Sequence, residues 1–398
     1  MKKSYINPSL PLIVLLLVIQ SCSTPDSVRD PVWPDKQWAV STPEEEGIDP
    51  VAIKAIHTDI NAGKYGLVDG FVLIRHGRMV ADYRYAHNYD SIAAAYDTTN
   101  HMFNYDHPAW HPYYQRSNLH TLQSVTKSVT SIALGIAIDA GHIPGVDVQP
   151  MEFFHSYDPD FSDQRRTDMT LEDMLTMRSG IDWNEMTSYE LDENSCIIME
   201  KSNDWIQYVV NRPMREQPGT RWDYNSGVSV LLGKLVGIST GQRVDQWTEE
   251  RLFKPLGITN YFWKTTPNEE VDTEGGLYLS AHDMARLGYL FLRQGNWNGK
   301  QVVSKAWVEQ SIKPTVKDIA PDNSTNNSGY GYQWWVPSTD PHIFSAVGYG
   351  GQLILVAPAY DLVAVFTGWN IHYDNTSLSA REALAKRIIP ATTPDPAP

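Results

Sequence analysis

A long apolar helical pattern with a polar step at its head constrains this chain more than any other feature. The segment that begins at Leu119 reads LHTLQSVTKSVTSIALGIAIDAGHIPG. Its residues 129–140 have the composition of a helix buried in a core. Ser124 and Lys127 stand just before this run, and no other serine in the chain has a lysine three residues later. Polar residues at the head of a buried helix predict a rigid, dry place for a nucleophile and a base.

The spacing of Ser124 and Lys127 suggests that they act as a nucleophile and a base. Positions i and i+3 lie on one face of a helix, so the Lys127 amine is expected beside the Ser124 hydroxyl. A helix N-terminus also favours developing negative charge. Lysine is a poor base at its ordinary pKa of about 10.4, but burial and cationic surroundings would lower that pKa and leave a neutral amine. The alternative is that Ser124 only caps the helix and Lys127 extends into solvent.

The composition limits the class of protein. The chain has 398 residues, of which 42% are hydrophobic and 20% charged, and this is a globular composition with material for one large or two modest cores. The formal net charge of −15, with no basic cluster, disfavours nonspecific binding to the phosphate backbone of nucleic acids. We therefore predict no nucleic-acid partner.

The N-terminus reads as an export signal. A basic start precedes the apolar residues 10–19, a run too short to span a membrane and typical of a secretory signal. The following VIQSC is similar to a bacterial lipobox, which predicts lipidation at Cys22; an ordinary signal cleaved nearby is the alternative. Both alternatives predict that the protein leaves the cytoplasm. The lipobox predicts a cell-envelope lipoprotein, periplasmic or at the outer membrane, that contacts a membrane only through its lipid anchor.

The remaining chain predicts one α+β domain. We expect a signal peptide at residues 1–22, a tether at 23–40, the domain at 41–388 and a disordered tail at 389–398. One hairpin is expected around His76 and Gly77 and a second at residues 351–370, with mostly helical material between them. A sheet built from both ends of the chain, flanked by helices, is α+β in character. Ser41 and Glu44 suggest a capping box, and a longer helix is expected after Asp49.

A second segment, PGTRWDYNSGVSVLLGKLVGISTGQ, places Tyr224 just before another apolar helix. Together with SVTKS it resembles the serine β-lactamase and penicillin-recognising enzyme superfamily, especially the class C-like branch of esterases, DD-peptidases and oligoamide hydrolases. That branch has a Tyr-x-Asn element at this point. Here Asn225 comes second and Ser226 third, so either side chain could face the site. The resemblance spans about residues 41–368.

A third segment, IFSAVGYGGQLILVAPAYDLVAVFTG, resembles the strand that edges the active site in this superfamily. Family members carry Lys-Thr-Gly or His-x-Gly there, whereas this chain has Ala346, Val347 and Gly348. The missing cation argues against efficient β-lactam recognition and favours an ester or amide substrate. The glycines Gly348 and Gly350 would allow a ligand to approach the backbone closely.

The resemblance implies an acyl-enzyme mechanism. Ser124 would attack a carbonyl carbon while Lys127 and Tyr224 share the removal and return of the proton, and which of them is the resting base stays open. The backbone N–H groups of Ser124 and Tyr349 would form the oxyanion hole. Asn225, Ser226, Gly348, Gly350 and Trp334 are candidate substrate contacts. We expect a small-molecule or short-peptide ester or amide as substrate and no metal or organic cofactor.

Other classes of function fit the sequence less well. The motif HMFNYDHPAWHPYYQ brings His101, Asp106, His107 and His111 together, but Pro108 and Pro112 disfavour the helix that would align a metal site. Cys196 has acidic neighbours, which raise a thiol pKa, so a structural role is predicted. An α/β-hydrolase is disfavoured because no Gly-x-Ser-x-Gly motif occurs. The alternatives that remain are a β-lactamase or DD-peptidase and a lipoprotein that only binds a ligand.

Overall fold

The two ends of the chain form one sheet of eight strands, in the order β1-β3-β2-β13-β12-β11-β10-β9. Every neighbouring pair is antiparallel except β1 and β3. The N-terminal part supplies β1 (Ala39–Val40), β2 (Val68–Arg75) and β3 (Arg78–Arg84), and the C-terminal part supplies β9 (Ser328–Tyr330), β10 (Trp335–Pro337), β11 (Phe344–Gly348), β12 (Gln352–Ala357) and β13 (Leu362–Gly368). Both predicted hairpins are present, and the α+β class is confirmed.

The chain is seen here in a computed structural model, which describes Met1 and residues 31–88, 91–92, 94, 118–189, 191–319, 328–337, 343–370 and 378–394. Short strands outside the main sheet are β4 (His120–Thr121), β5 (Phe262–Trp263), β6 (Leu277–Leu279), β7 (Asn296–Trp297) and β8 (Lys300–Gln301). The predicted signal peptide, Cys22 and the histidine-containing loop from His101 to His111 lie outside the described residues. Within the described part of the chain, no helix combines the length and the apolar character needed to cross a membrane.

Most helices come from the middle of the chain. The α-helices are α1 (Pro50–Asn61), α2 (Val125–Asp139), α3 (Gln164–Asp168), α4 (Leu171–Leu175), α5 (Ser195–Lys201), α6 (Trp205–Val210), α7 (Ser226–Thr240), α8 (Val244–Thr248), α9 (Lys254–Leu256), α10 (Ala281–Leu292), α11 (Lys305–Ser311) and α12 (Ala380–Ala383). Short 3₁₀ and π segments extend the set at Pro150–Tyr157, Glu249–Phe253, Pro358–Tyr360, Leu384–Ile388 and Ile389–Ala391. Helix α2 packs against α7 on one side and against β11 and β12 on the other, which places its first turn between the helical part and the sheet.

The domain is longer at both ends than the predicted residues 41–388. The end of the predicted tether packs on the domain, since Trp38 is buried, β1 pairs with β3, and the Tyr289 hydroxyl donates to the Val32 carbonyl over 2.9 Å. Part of the predicted disordered tail is also fixed. The Thr393 carbonyl accepts a hydrogen bond of 2.6 Å from the buried Arg75, whose charge needs such acceptors.

The first predicted capping box is also corrected. Residues 43–47 form a turn rather than a helix, and the reciprocal pair is Thr42 with Glu45 instead of Ser41 with Glu44. The helix expected after Asp49 is present as α1, and the Asp49 side chain accepts from the Val51 N–H over 2.9 Å. Proline at the first helical position of α1 fixes the start there.

Candidate active site

A strained turn presents Ser124 at the head of α2. Gln123 has φ of +48°, in the left-handed region that costs a non-glycine residue about 1 kcal/mol. This turn joins β4 to α2 within three residues. Ser124 occupies the N-cap position but its side chain caps no backbone N–H, and it stays partly exposed while the helix behind it is buried. The hydroxyl is therefore held at a rigid position and left available to other groups.

Lys127 lies beneath this hydroxyl and is shielded from solvent, with 1% exposure. Its Nζ donates to Ser124 Oγ over 2.9 Å, to the Glu274 carbonyl over 2.8 Å and to Glu274 Oε2 over 2.9 Å. The alternative in which Lys127 extends into solvent is therefore wrong. The predicted contact between the amine and the hydroxyl is present.

The charge state expected for Lys127 is corrected by its surroundings. Burial opposes the ammonium charge, but Glu274, Tyr224 and Glu185 outweigh burial and raise the Lys127 pKa well above its ordinary value. The groups around it are acidic rather than cationic. Lys127 is therefore an ammonium ion at rest, and not the neutral amine that the sequence suggested.

Tyr224 completes the group around Ser124. Its hydroxyl is hydrogen-bonded to the Ser124 side chain, and the Lys127 Nζ lies 5.3 Å from the centroid of its ring. Burial raises the Tyr224 pKa, against the opposing effect of Lys127, so the phenol keeps its proton at rest. The ring stacks on Trp335 with centroids 6.0 Å apart. Three residues distant in sequence thus meet around one hydroxyl.

The structure decides between the two residues that follow Tyr224. Asn225 is the N-cap of α7, where its side-chain oxygen accepts from the Val228 N–H over 3.0 Å. Ser226 turns inward: its hydroxyl and its N–H donate to the two oxygens of Glu185 over 2.6 and 2.7 Å. Both side chains are buried and serve the scaffold, so the assignment of Ser226 as a substrate contact is corrected. The Asn225 Nδ2 atom is buried and has no partner among the described residues.

Strand β11 reaches the turn that carries Ser124. A Cβ atom on Gly348 would lie 2.2 Å from the Leu122 carbonyl oxygen, so only glycine allows this approach. Tyr349 follows at the end of the strand, partly exposed, with its ring 5.5 Å from that of Tyr189. Gly350, with φ of +81°, begins the turn into β12 and accepts from the Asn370 N–H over 2.9 Å. The predicted strand edge therefore borders the candidate nucleophile.

One predicted pocket residue belongs to the core instead. Trp334 is 1% exposed and stacks on Phe291 with ring centroids 4.4 Å apart. Its neighbour Trp335 is the tryptophan that contacts Tyr224. Successive side chains of an extended segment point to opposite sides. The prediction was therefore wrong by one position: Trp334 faces the core, and Trp335 faces the site.

Sequence reasoning missed the acidic residues behind the site. Glu274 bonds Lys127, Glu185 accepts from Ser226, Trp183 and Tyr189, and Glu200 lies fully buried nearby. Isolated glutamates in a sequence carry no signal of burial, and only the fold brings them to Lys127. Burial and these acids raise the Cys196 pKa well above its ordinary value, the predicted direction, although the acids that act are not the sequence neighbours that suggested it.

Ligand atoms of Cys196, Glu200 and Glu274 lie within 4.8 Å of one another, a spacing that a metal ion could use. The donor set fits poorly, because the Glu274 carboxylate already holds the Lys127 ammonium and a second cation there would be repelled. The thiol also keeps its proton, whereas metal binding requires a thiolate.

Arg381 is a cation that the sequence analysis did not identify, and it contacts β11. Arg381, from α12, donates to Ser345 Oγ over 2.9 Å, and its guanidinium carbon is 6.0 Å from the centroid of the Trp335 ring. No carboxylate in the described ranges pairs with it. Arg381 thus brings a positive charge from α12 to Ser345, the residue before Ala346 in β11.

Comparisons with known proteins identify the family and the fold. The family described as beta-lactamase matches residues 71–385. The chain is 25% identical to 6-aminohexanoate-dimer hydrolase of Paenarthrobacter ureafaciens over 62% of its own length and 65% of that enzyme, which is less than two thirds of the relative. It is 23% identical to N-acetylmuramyl-L-alanine amidase of Bacillus subtilis, over 78% and 79% of the two chains.

Solved structures share the fold. A family VIII carboxylesterase superposes with a TM-score of 0.63 at 13% identity, covering 89% of this chain and 99% of the other. An octameric penicillin-binding protein homologue from Pyrococcus abyssi gives 0.61 at 15% identity, covering 86% and 79%. The family match spans most of the chain and the fold agrees with it, so this chain belongs to the beta-lactamase family.

Proposed function

We propose that this protein is an exported serine hydrolase that cleaves an ester or amide bond of a small molecule or short peptide through an acyl-enzyme on Ser124. The observation that carries the proposal is the 2.9 Å contact between the buried Lys127 Nζ and the Ser124 hydroxyl. A lysine is buried at such a position at a considerable energetic cost, which a reactive role would explain. Export, and a lipid anchor on Cys22, rest on the leader sequence.

In this reaction Ser124 Oγ bonds to the carbonyl carbon and the carbonyl electron pair moves onto oxygen. The backbone N–H groups of Ser124 and Tyr349 receive that oxyanion. Lys127 and Tyr224 carry the serine proton away and return it to the leaving oxygen or nitrogen. Water then attacks the acyl carbon along the same path and releases the acid. No step in this sequence calls for a metal or an organic cofactor.

The comparisons support an ester or a linear amide as substrate. The relatives named above include an amide hydrolase, an amidase and a carboxylesterase, and each name describes that protein alone. Ala346 leaves β11 without the lysine or histidine that the family resemblance places there. We therefore propose hydrolysis of short-chain esters as the measurable activity, with slow hydrolysis of the β-lactam nitrocefin.

A fluorophosphonate probe and a p-nitrophenyl ester series test the proposal. The native protein should be labelled at micromolar concentration and should hydrolyse short-chain esters, whereas Ser124→Ala should do neither. Ser128→Ala, four residues further along the same helix, is a matched control that should keep both activities. Absence of labelling and hydrolysis in the native protein would instead favour a protein that only binds its ligand.

A second candidate, an amidase or peptidase for substrates that carry a carboxylate, is favoured by Arg381. Its guanidinium lies on β11 without a described acidic partner and could pair with a substrate carboxylate. Arg381→Gln should then raise KM for a p-nitrophenyl monoester of glutaric acid about tenfold and leave KM for p-nitrophenyl valerate unchanged. Equal effects on the two esters would remove this candidate.

A further inference from the structure

The two groups that contact the Ser124 hydroxyl both hold their protons at rest. Lys127 is an ammonium ion and Tyr224 is a neutral phenol, for the reasons given above. Neither can accept the serine proton unless it first passes a proton to another group. The reaction proposed above therefore needs a further acceptor within reach of one of them.

Glu274 is placed to be that acceptor. The same Lys127 Nζ contacts Ser124 Oγ and Glu274 Oε2, each over 2.9 Å, so one ammonium group bridges the hydroxyl and the carboxylate. A second contact, from Nζ to the Glu274 carbonyl over 2.8 Å, fixes the ammonium in this orientation. Glu274 is 4% exposed, so bulk water offers it little competition for the exchange of a proton with Lys127.

Glu200 determines which charge Glu274 carries. Glu200 is fully buried, and its carboxyl group is hydrogen-bonded to that of Glu274. Two buried carboxyl groups in contact cannot both be ionised without a large repulsion. Burial, reinforced by the Glu274 charge, raises the Glu200 pKa well above its ordinary value, so Glu200 keeps the proton and donates it in this hydrogen bond.

Three other buried ionisable groups lie near this pair. Asp272 and Lys264 form an ion pair of 3.2 Å, and both are shielded from solvent. Glu185 accepts four hydrogen bonds from the scaffold and is a further buried carboxylate whose charge acts on Lys127. With Glu200 protonated, the carboxylate in direct contact with the Lys127 ammonium group is that of Glu274.

We propose that Glu274 takes up, through Lys127, the proton that Ser124 loses during acylation, and that Glu200 positions Glu274 as its protonated partner. This inference rests on the proposed function. Lys127 first passes one Nζ proton to Glu274 Oε2, and the amine turns its freed lone pair towards Ser124 Oγ. As Oγ bonds to the carbonyl carbon, its proton moves to that lone pair, so Lys127 is again an ammonium ion and Glu274 is protonated. When the bond to the leaving group breaks, Lys127 gives a proton to the leaving atom and regains one from Glu274.

Two isosteric variants test this inference. Glu274→Gln removes the acceptor and should lower kcat/KM for p-nitrophenyl acetate by roughly 100-fold or more. It should also abolish the acid limb of the kcat/KM profile, since the proposal assigns that limb to protonation of Glu274. Glu200→Gln keeps a hydrogen-bond donor where the protonated carboxyl group stood, so it should lose at least about tenfold less rate than Glu274→Gln and should keep an acid limb.

Three results would overturn the inference while leaving the proposed function intact. Glu274→Gln could hydrolyse the ester at a near-wild-type rate, or it could keep the acid limb of the wild-type profile. Glu200→Gln could lose as much kcat/KM as Glu274→Gln does. If Glu274→Gln does not fold, a proton inventory on the wild-type enzyme replaces it, in which kcat/KM is measured in mixtures of light and heavy water. Transfer of two protons should give a curved plot of kcat/KM against deuterium fraction. A straight line would contradict the relay. Absence of Ser124-dependent hydrolysis in the wild type would contradict the proposed function itself.

Discussion

Two buried ion pairs flank Ser124, and they differ in what else their atoms contact. Before it in the chain, His120 Nε2 lies 3.2 Å from Asp69 Oδ2, and after it, Lys127 Nζ lies 2.9 Å from Glu274 Oε2. The side chains of His120 and Lys127 are both shielded from solvent. Among the described residues, the first pair contacts the scaffold, since Asp69 also accepts from Thr367 and Trp369. The second pair contacts a partly exposed hydroxyl.

The difference shows that a charged pair can stabilise the fold at one position and support the proposed reaction at another. The contacts around Asp69 tie β4 to β2 and to the end of β13, so the pair fixes the strand that leads into the strained turn at Gln123. These contacts include the stacking of His120 on Trp369, with ring centroids 4.1 Å apart. The Lys127 pair instead places a charge beside the hydroxyl, where the proposed reaction would use it. We therefore expect the first pair to determine stability and the second to determine reactivity.

The largest effect is expected from Lys127→Ala. Removing the ammonium group takes away the donor to Ser124 and the link to Glu274, so ester hydrolysis should fall by roughly a thousandfold or more per folded molecule. Initial rates, corrected for the folded fraction by circular dichroism, measure this. The matched change in the other pair, His120→Gln, should lower the same corrected rate less than about tenfold. Equal losses would mean that the two pairs do not differ as described.

A smaller loss of activity is expected from a substitution that displaces β11 than from the removal of the Lys127 ammonium group. In Gly348→Ala the new methyl group would meet the Leu122 carbonyl oxygen and push β11 away from the turn at Ser124. We expect kcat/KM to fall roughly 10- to 100-fold because the oxyanion donors separate. Gly299→Ala, at an exposed turn where the added carbon meets nothing within 4 Å but φ is +82°, controls for a general loss of stability. A wild-type rate in Gly348→Ala would contradict the placement of β11.

The Asp69 pair should affect stability and not rate. Burial opposes ionisation of Asp69, but His120, Thr367 and Trp369 outweigh it and lower the pKa from an ordinary 3.8 to about 2. A lowered pKa adds stability that is present above pH 4 and is lost as pH falls towards 2. Asp69→Asn should lower the free energy of unfolding by about 2 kcal/mol at neutral pH and remove that acid-dependent loss. Denaturant titrations at several pH values test this, and a flat wild-type profile would contradict it.

The smallest effect is expected from Ser226→Ala. The variant removes one donor to Glu185, while the Ser226 N–H, Trp183 and Tyr189 continue to donate. Stability should fall by about 1 kcal/mol, and KM should stay within about twofold because the hydroxyl faces the scaffold. A large rise in KM with unchanged stability would restore Ser226 as a substrate contact.

The sequence predicted the parts of the molecule that depend on local pattern. The apolar period of α2 and α7, the two hairpins and the spacing of Ser124 and Lys127 are local features, and the fold class and family followed from their order. Tyr224 and Gly348 were found because the family resemblance marks their positions. The choice between Trp334 and Trp335 failed, since a shift of one residue in an extended segment reverses which side chain faces the site.

The charge environment of the site could not be predicted, because it is assembled from distant residues. Glu185, Glu200 and Glu274 lie in three separate segments, and nothing in their neighbours indicates burial. The expected neutral lysine was wrong for this reason: the sequence shows no acid close to Lys127, whereas the fold brings Glu274 into contact with it from 147 positions away. Arg381 reaches Ser345 of β11 from 36 positions away, a smaller separation that local pattern still does not reveal.

The most direct measurement is the mass of the enzyme trapped during turnover of p-nitrophenyl acetate by acid quench. If Ser124 forms an acyl-enzyme, a fraction of the protein gains one acetyl group, and peptide mapping locates it on the peptide that contains Ser124 and Lys127. The Ser124→Ala protein should gain none. Acetyl groups found only elsewhere, or the same adduct in the alanine variant, would contradict the assignment of Ser124 as the nucleophile.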